Sequence, residues 1–262
     1  MAAPPPTSDS DAILIPKTYS SPKDLDEIIN RFKKLRLHSL KVDPVSFSST
    51  YEEESQFPHD KWRSRIQSPL PRTFIAINDT VSKRITNDTT DSSISSPCFG
   101  DTSTSLLRLI RSEWVGMATL LGPITFPEET TNEDGAVAKP WDAFIKDQKY
   151  KMPGDVSKVE DLKGAHIVYL VVAVFTLPEV RRNGHASRLL KVIIKAIHDD
   201  IDIYGAAKAS ITIQLEPENP RALRLYESLG FSVWEKALPM ADPWGNVSHV
   251  ISLGMTVHSQ SD

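Results

Sequence analysis

Residues His166–Leu177 (HIVYLVVAVFTL) form an almost unbroken apolar, largely β-branched run, the strongest constraint in the chain. A strand of that composition has both faces buried, so it belongs in the middle of a sheet covered on both sides. A short turn separates it from His185–His198, where Ala186, Leu189, Leu190, Ile193, Ile194 and Ile197 recur at helical spacing. Ala209–Leu215 (ASITIQL) reads as the next strand. Pro220–Leu229 reads as a helix: Asn219 caps it, Pro220 takes its first position and Gly230 stops it. Phe231–Lys236 and His249–Val257 are two further strands. Strand, helix, strand, helix and two closing strands predict one α/β domain around a mixed sheet.

The N-terminal half supplies more of the same layers. Ala12–Tyr19 is a short strand. From Asp24 a helix carries Leu25, Ile28, Ile29, Phe32, Leu35 and Leu40 inward, with Lys and Arg on its other face. A second helix covers His59–Gln67, with Trp62 and Ile66 on one side. Arg72–Asn78 and Trp114–Leu121 are strands. Residues 1–11, with three consecutive prolines, are expected to be a disordered tail. The domain is expected to span 12–258, with insertions at about 79–112 and 122–164. Within the first insertion, 15 of the 20 residues Thr86–Ser105 are Ser, Thr, Asp or Asn, too polar to offset the entropy of ordering them. In the second, Trp141, Phe144 and Tyr150 predict partial packing.

Composition narrows the function. Thirty Lys+Arg against 34 Asp+Glu give a net charge of −4, without the basic excess of a phosphate-backbone binder. No nucleic-acid partner is expected, and the balance suits a cationic or small neutral substrate. A single cysteine, Cys98, rules out an intramolecular disulfide and speaks against a Cys-based zinc site; no metal is expected. The first residues lack a signal-peptide apolar core, and Ile167–Leu177 is too short to span a bilayer. A cytoplasmic protein without a membrane partner, monomer or homodimer, is the expectation.

The turn after the central strand carries the chemistry. Arg181, Arg182, Asn183 and Gly184 precede a helix start at His185-Ala186-Ser187. Amides at a helix start lack intrahelical acceptors and carry positive partial charge. A glycine there lets an anion approach the backbone. The turn is not a dinucleotide fingerprint, which needs G-x-G-x-x-G, nor a Walker A loop, which needs Gly-Lys-Ser/Thr. A magnesium-dependent phosphotransferase is thereby disfavoured.

Val174-x-x-x-Pro178-x-x-Arg181-x-x-Gly184-x-Ala186 resembles the acetyl-coenzyme A signature of the GNAT superfamily of N-acetyltransferases. Asn219-x-x-Ala222-x-x-Leu225-Tyr226-x-x-x-Gly230-Phe231 resembles the second signature of that family. Asp43-Pro44-x-x-Phe47-x-Ser49-Thr50-Tyr51-Glu52-Glu53-Glu54, followed by Trp62-Arg63-x-Arg65, is similar to the helix–loop–helix that overhangs the acceptor site in many microbial members. The resemblance covers roughly 13–257. It implies a mixed, mostly antiparallel sheet with helices on both faces, and acetyl-coenzyme A as cosubstrate. It implies that a bulged strand near Val174, Phe175 and Thr176 aims an amide at the thioester. It implies that Arg181, Arg182, Asn183, Gly184, His185, Ala186, Ser187 and Asn219 hold the coenzyme. Tyr226 would donate to the departing thiolate, and Phe47, Tyr51, Glu52 and Glu53 would meet the acceptor. Several family members carry a glutamate base where this chain has Leu170; Glu216, His166 and His249 are the alternatives. The function implied is acetyl transfer to a primary amine, with a small molecule favoured. A protein or peptide acceptor, or an acyl-coenzyme A-binding module without catalysis, stays open.

Overall fold

The computed structural model describes residues 12–78, 102–126, 139–145, 162–241 and 247–259. Seven strands form one sheet: β1 (Ala12–Leu14), β2 (Pro71–Asn78), β3 (Glu113–Thr125), β4 (His166–Thr176), β5 (Lys208–Leu215), β6 (Ser232–Ala241) and β7 (Val247–His258), in the order β1-β2-β3-β4-β5-β7-β6. Every pairing is antiparallel except β4 with β5. The helices are α1 (Pro22–Val42), α2 (Tyr51–Ser55), α3 (His59–Gln67), α4 (Thr102–Arg111), α5 (Asp142–Ile145), α6 (His185–Tyr204) and α7 (Pro220–Ser228). Among the described residues no helix is long and apolar enough to cross a membrane.

The apolar run His166–Leu177 becomes the central strand. One face packs Ile167, Tyr169 and Val171 against Leu189, Leu190, Ile193 and Ile197 of α6. The other face of the sheet, through Ile75, Ile77, Met117 and Phe175, packs against Ile28, Ile29 and Phe32 of α1 and Trp62 and Ile66 of α3. Helices therefore cover both faces, and the sheet is mixed and mostly antiparallel.

Several boundaries differ from the sequence reading: β1 ends at Leu14 instead of Tyr19, α6 runs on to Tyr204, and three others differ for a tertiary reason. β3 runs on through Gly122 and Pro123 to Thr125, because β4 offers Ile124 a partner in Val168. β6 continues past Lys236 through Pro239, tolerated because β6 is an edge strand and needs no donor on its outer side. Thr102–Ser105, expected at the end of the polar insertion, is the first turn of α4, whose Leu109 is fully buried. Residues 79–101 lie outside the described residues, as do the tail 1–11 and Tyr150. Trp141 and Phe144 do pack, Trp141 with Trp234 at 6.0 Å between ring centroids.

Candidate active site

The site forms where β4 changes phase. Met117 pairs with Phe175 and Thr119 with Val172, so β4 spends one residue more than β3 over this span. Such a bulge turns the following side chains to the opposite face. Val171 accordingly faces α6, whereas Phe175, four residues on, faces α1. Ala173 at the bulge has φ 55, the left-handed region that a residue with a Cβ seldom occupies. Gly116 permits the irregularity: a Cβ there would lie 2.7 Å from the Phe175 carbonyl oxygen.

On its other side β4 leaves β5. Their parallel register runs from His166↔Lys208 to Val171↔Ile213 and stops. Beyond Val171 the two strands no longer pair, although β4 continues to Thr176 and β5 to Leu215, so the β4 backbone around Ala173–Phe175 has no ladder partner on that side.

The chain then passes through a 3₁₀ turn, Pro178–Val180, into the exposed loop 181–184. Arg182 (φ 71) and Gly184 (φ 79) are both left-handed, which curls the loop tightly into the N-terminus of α6. Arg188 N–H donates to the Gly184 carbonyl at 3.0 Å, the first bond of the helix ladder, so the amides of 185–187 precede that ladder. The Arg188 side chain folds back over the loop. Its Nη1 would lie 3.0 Å from a Cβ on Gly184, and its Nη2 is 3.0 Å from His185 Nδ1. Arg181 is held by the Thr176 carbonyl (3.3 Å) and the Asp43 carboxylate (3.4 Å), which ties the loop to the end of α1.

On the α1 face, a pocket of about 190 Å³ opens beside the bulge. Val172 and Ala173 of β4, Thr119 and Met117 of β3, and Thr73 of β2 line it, with Phe32 and Arg36 of α1 and Arg65 of α3. Thr73 and Thr119 share a hydrogen bond of 2.9 Å. Glu54, fully buried, accepts from Arg36 Nε (3.1 Å) and Nη2 (2.8 Å) and from Arg65 Nη1 (2.7 Å) and Nη2 (3.2 Å). Burial alone would push this carboxyl up, but the two guanidiniums outweigh it and hold Glu54 below the ordinary carboxylate value.

Residues 167–238, from the bulged strand to β6, match the family model described as FR47-like protein. The fold superimposes on Arabidopsis thaliana NAA60 in complex with a bisubstrate analogue with a TM-score of 0.50 at 12% identity, over 94% of this chain and 99% of that one. This is the GNAT fold. A GNAT superfamily phosphinothricin acetyltransferase from Sinorhizobium meliloti, in complex with AcCoA, is also similar, with a TM-score of 0.48, 10% identity and coverage of 96% of this chain and 92% of that one. No curated protein sequence matches the chain.

Within this GNAT fold the sequence-predicted residues fall into groups. Val174, Phe175 and Thr176 lie at the end of β4 that β5 no longer pairs, and the bulge itself sits one residue earlier, at Ala173. Arg181, Arg182, Asn183 and Gly184 form the exposed loop, and His185, Ala186 and Ser187 the half-buried first turn of α6. Asn219 caps α7, its side chain accepting from Ala222 N–H at 3.1 Å. Tyr226 is buried on α7 in the same apolar cluster as Val171, its ring 6.1 Å from that of Phe231, and burial pushes its hydroxyl pKa up.

Glu216 is the first residue after β5, three residues past the last β4–β5 pair (Val171↔Ile213), half-buried at the end of the sheet where the bulge lies. Burial first, and the Glu218 charge second, raise its carboxyl. His249 is exposed at the same end of the sheet. His166 is at the far end of β4, seven residues or roughly 23 Å of strand from Ala173. Bonded to Ser210 at 2.9 Å, it is out of reach as a base. Phe47 reaches inward, 6.5 Å from Phe175 and 4.6 Å from the Arg36 guanidinium. Tyr51 is half-buried beneath Lys41, whose Nζ lies 4.0 Å from its ring. Glu52 and Glu53 are exposed in the first turn of α2 and are not part of the pocket lining; Thr50 caps that turn by accepting from Glu53 N–H. The row of three carboxylates is thus broken, because Glu54 turns inward to its arginines.

The sequence reading missed Arg36 and Arg188. Arg36 sits within the basic face expected to be solvated on α1, and its partner is 18 residues away. Arg188 carried a signal: it stands one helical turn after Gly184, so its side chain has to rise over the loop.

Proposed function

We propose that this protein is an acetyl-coenzyme A-dependent N-acetyltransferase acting on the primary amine of a small molecule. The observation that carries the reading is the loss of pairing between β4 and β5 at a bulge, one 3₁₀ turn before a left-handed loop that opens on a helix N-terminus. The loop 181–184 and the first turn of α6 would hold the pyrophosphate, with Arg182 and Arg188 as side-chain cations and the helix start as the anion site. The thioester would then reach the bulge where β4 and β5 no longer pair. Acetyl-coenzyme A supplies an activated acetyl group; the remaining tasks fall to the chain.

Those tasks are three. An amide of β4 next to Ala173, without a ladder partner in β5, can donate to the carbonyl oxygen as negative charge develops there; such a donor is typically worth about 3–4 kcal/mol. The attacking amine has to be neutral, and an alkyl amine of pKa about 10.4 is neutral in only roughly one molecule in 2,500 at pH 7. Leu170 offers no base. Glu216, with its raised carboxyl at the end of the sheet where the bulge lies, is assigned as the acceptor of the amine's proton, through water. Tyr226, kept protonated by burial, donates a hydrogen bond to the sulfur as the C–S bond breaks. It is a weaker acid than a thiol, so the proton that the thiolate keeps comes in net from the amine.

The test has two steps. Calorimetry with coenzyme A should show tight binding, and ATP with magnesium should show none. Release of free thiol from acetyl-coenzyme A, followed over a panel of amines, should then show amine-dependent turnover. Binding without turnover on any amine would leave an acyl-coenzyme A-binding module, and absence of binding would remove the reading altogether.

A further inference from the structure

The pocket beside the bulge has a charge opposite to the one expected from composition. Its lining holds two guanidiniums, Arg36 and Arg65, and no carboxylate. The nearest acid, Glu54, stands behind them, and its lowered pKa keeps it ionised at neutral pH. Two positive charges against one negative leave the cluster at +1. A polyamine or other dication would enter against that charge.

The hydrogen bonds are also unfinished. Arg36 is nine-tenths buried; its Nε and Nη2 are spent on Glu54, while its Nη1 is buried without a partner. Buried donors nearly always find acceptors, and Arg36, which lines the pocket, keeps one guanidinium nitrogen without one. The Arg36 guanidinium carbon lies over the Phe47 ring, 4.6 Å from its centroid, so that side of the group is covered. A guanidinium edge fits a carboxylate better than any other common anion its size, with planar, charge-assisted hydrogen bonds. The pocket is small as well. About 190 Å³ falls below the roughly 300–1,000 Å³ usual for drug-sized ligands, and the Ala173 backbone forms one wall.

We propose that Arg36 binds a carboxylate of the acceptor, and that the acceptor is a free amino acid whose amine is thereby held toward the bulge at Ala173. This rests on the acetyl-transfer reading. It names a substrate class that the exposed Glu52 and Glu53 would not select. Arg65 and Glu54 are positioning residues here: Glu54 holds the Arg36 guanidinium through Nε and Nη2, and Arg65 holds Glu54.

The experiment compares matched amines that differ in the carboxylate alone: phenylalanine, phenethylamine and phenylalaninamide, with leucine and isoamylamine as a second set. Thiol release should favour phenylalanine over phenethylamine by at least about 10-fold in kcat/KM, and leucine over isoamylamine likewise. Arg36→Gln should collapse that ratio toward one, chiefly through the KM of the acids, and Arg36→Lys should restore part of it. A preference for the carboxylate-free amines overturns the proposal. So does a preference for phenylalaninamide, which would mark a peptide N-terminus as the acceptor.

Because Arg36→Gln also strips a partner from buried Glu54, the wild-type protein carries a second arm. 3-Phenylpropionate, an acid with no amine, should compete with the amine, and 3-phenylpropanol should not; equal inhibition, or none by the acid, overturns the assignment. If coenzyme A binds but no amine releases thiol, the acetyl-transfer reading fails. Calorimetry with 3-phenylpropionate then still decides the site: binding that Arg36→Lys weakens supports it, and no binding overturns it.

Discussion

The two sides of β4 at the bulge are built on opposite principles. On the α6 side most of the proposed contacts are backbone: amides of β4, a left-handed loop and a helix start, with the side chains of Arg182, Arg188 and Tyr226 added to them. On the α1 side they are side chains: Arg36, Arg65 and Glu54, brought together from three helices. Backbone donors suit a ligand part that never varies, since any residue supplies an amide. Side chains suit the part that distinguishes one acceptor from another. In the proposed reading the cosubstrate half of the site is therefore generic, and the acceptor half individual.

The largest expected effect breaks the generic half alone. Gly184→Asp places a carboxylate where the pyrophosphate is proposed to sit, against the Arg188 Nη1 that a Cβ there would meet at 3.0 Å. Asp tolerates the left-handed region better than most residues, so the strain, about 1–2 kcal/mol, leaves the fold standing. Coenzyme A affinity by calorimetry should fall by more than about 100-fold, with the melting temperature changed little; unchanged affinity would mean that the loop is only a turn.

Tyr226→Phe comes next. It keeps the packing against Phe231 and removes one hydrogen bond, so kcat should fall about 10²–10³-fold with coenzyme affinity intact. A loss below threefold, with chemistry shown to limit the rate, would reduce Tyr226 to a core side chain.

Glu54→Gln tests the individual half. Removing one member of a buried ion-pair cluster typically costs about 3–5 kcal/mol, read as a large drop in melting temperature. The pH dependence gives the sign. The folded-state pKa of Glu54 lies below the ordinary value near 4.5, so its stabilisation is complete above that value and is lost as pH falls through the lowered one. The gap between wild type and Glu54→Gln should therefore be constant at neutral pH and narrow as the pH drops below about 4.5; a gap that does not narrow would show that the charge of Glu54 is not what stabilises.

The smallest effect belongs to the solvent. The double change Glu52→Gln, Glu53→Gln should move the acceptor KM less than about twofold at 0.15 M salt, since both side chains are exposed and screened. A several-fold rise that added salt reproduces would return them to a steering role.

The same contrast explains what the sequence discloses. The cap at Asn219, the glycine at 184 and the apolar spacing of α6 are local signals, read within a few residues of where they act. The β4 bulge is written nowhere in HIVYLVVAVFTL; it arises from how that strand meets β3, with Gly116 making room some sixty residues earlier. Arg36, Glu54 and Arg65 are 18 and 11 residues apart, and no periodic pattern links them. A basic residue on an amphipathic helix reads as solvated until a partner from another helix is seen to cover it. Pro239 and Pro123 read as breakers because propensity takes no account of which strand edge will lie outside.

The phase change in β4 also sets how the middle of the sheet opens and closes on the timescale of hydrogen exchange. Amides of Ile167–Val171 are clasped by β3 and β5 together, and should exchange only with the whole sheet. Those from Val172 to Phe175 that point toward β5 have no ladder there, so they should exchange by local fluctuation, though they lie in the central strand. Protection along β4 should therefore dip next to its most protected stretch, and ligation where β4 and β5 no longer pair should fill in the dip without touching the residues before it.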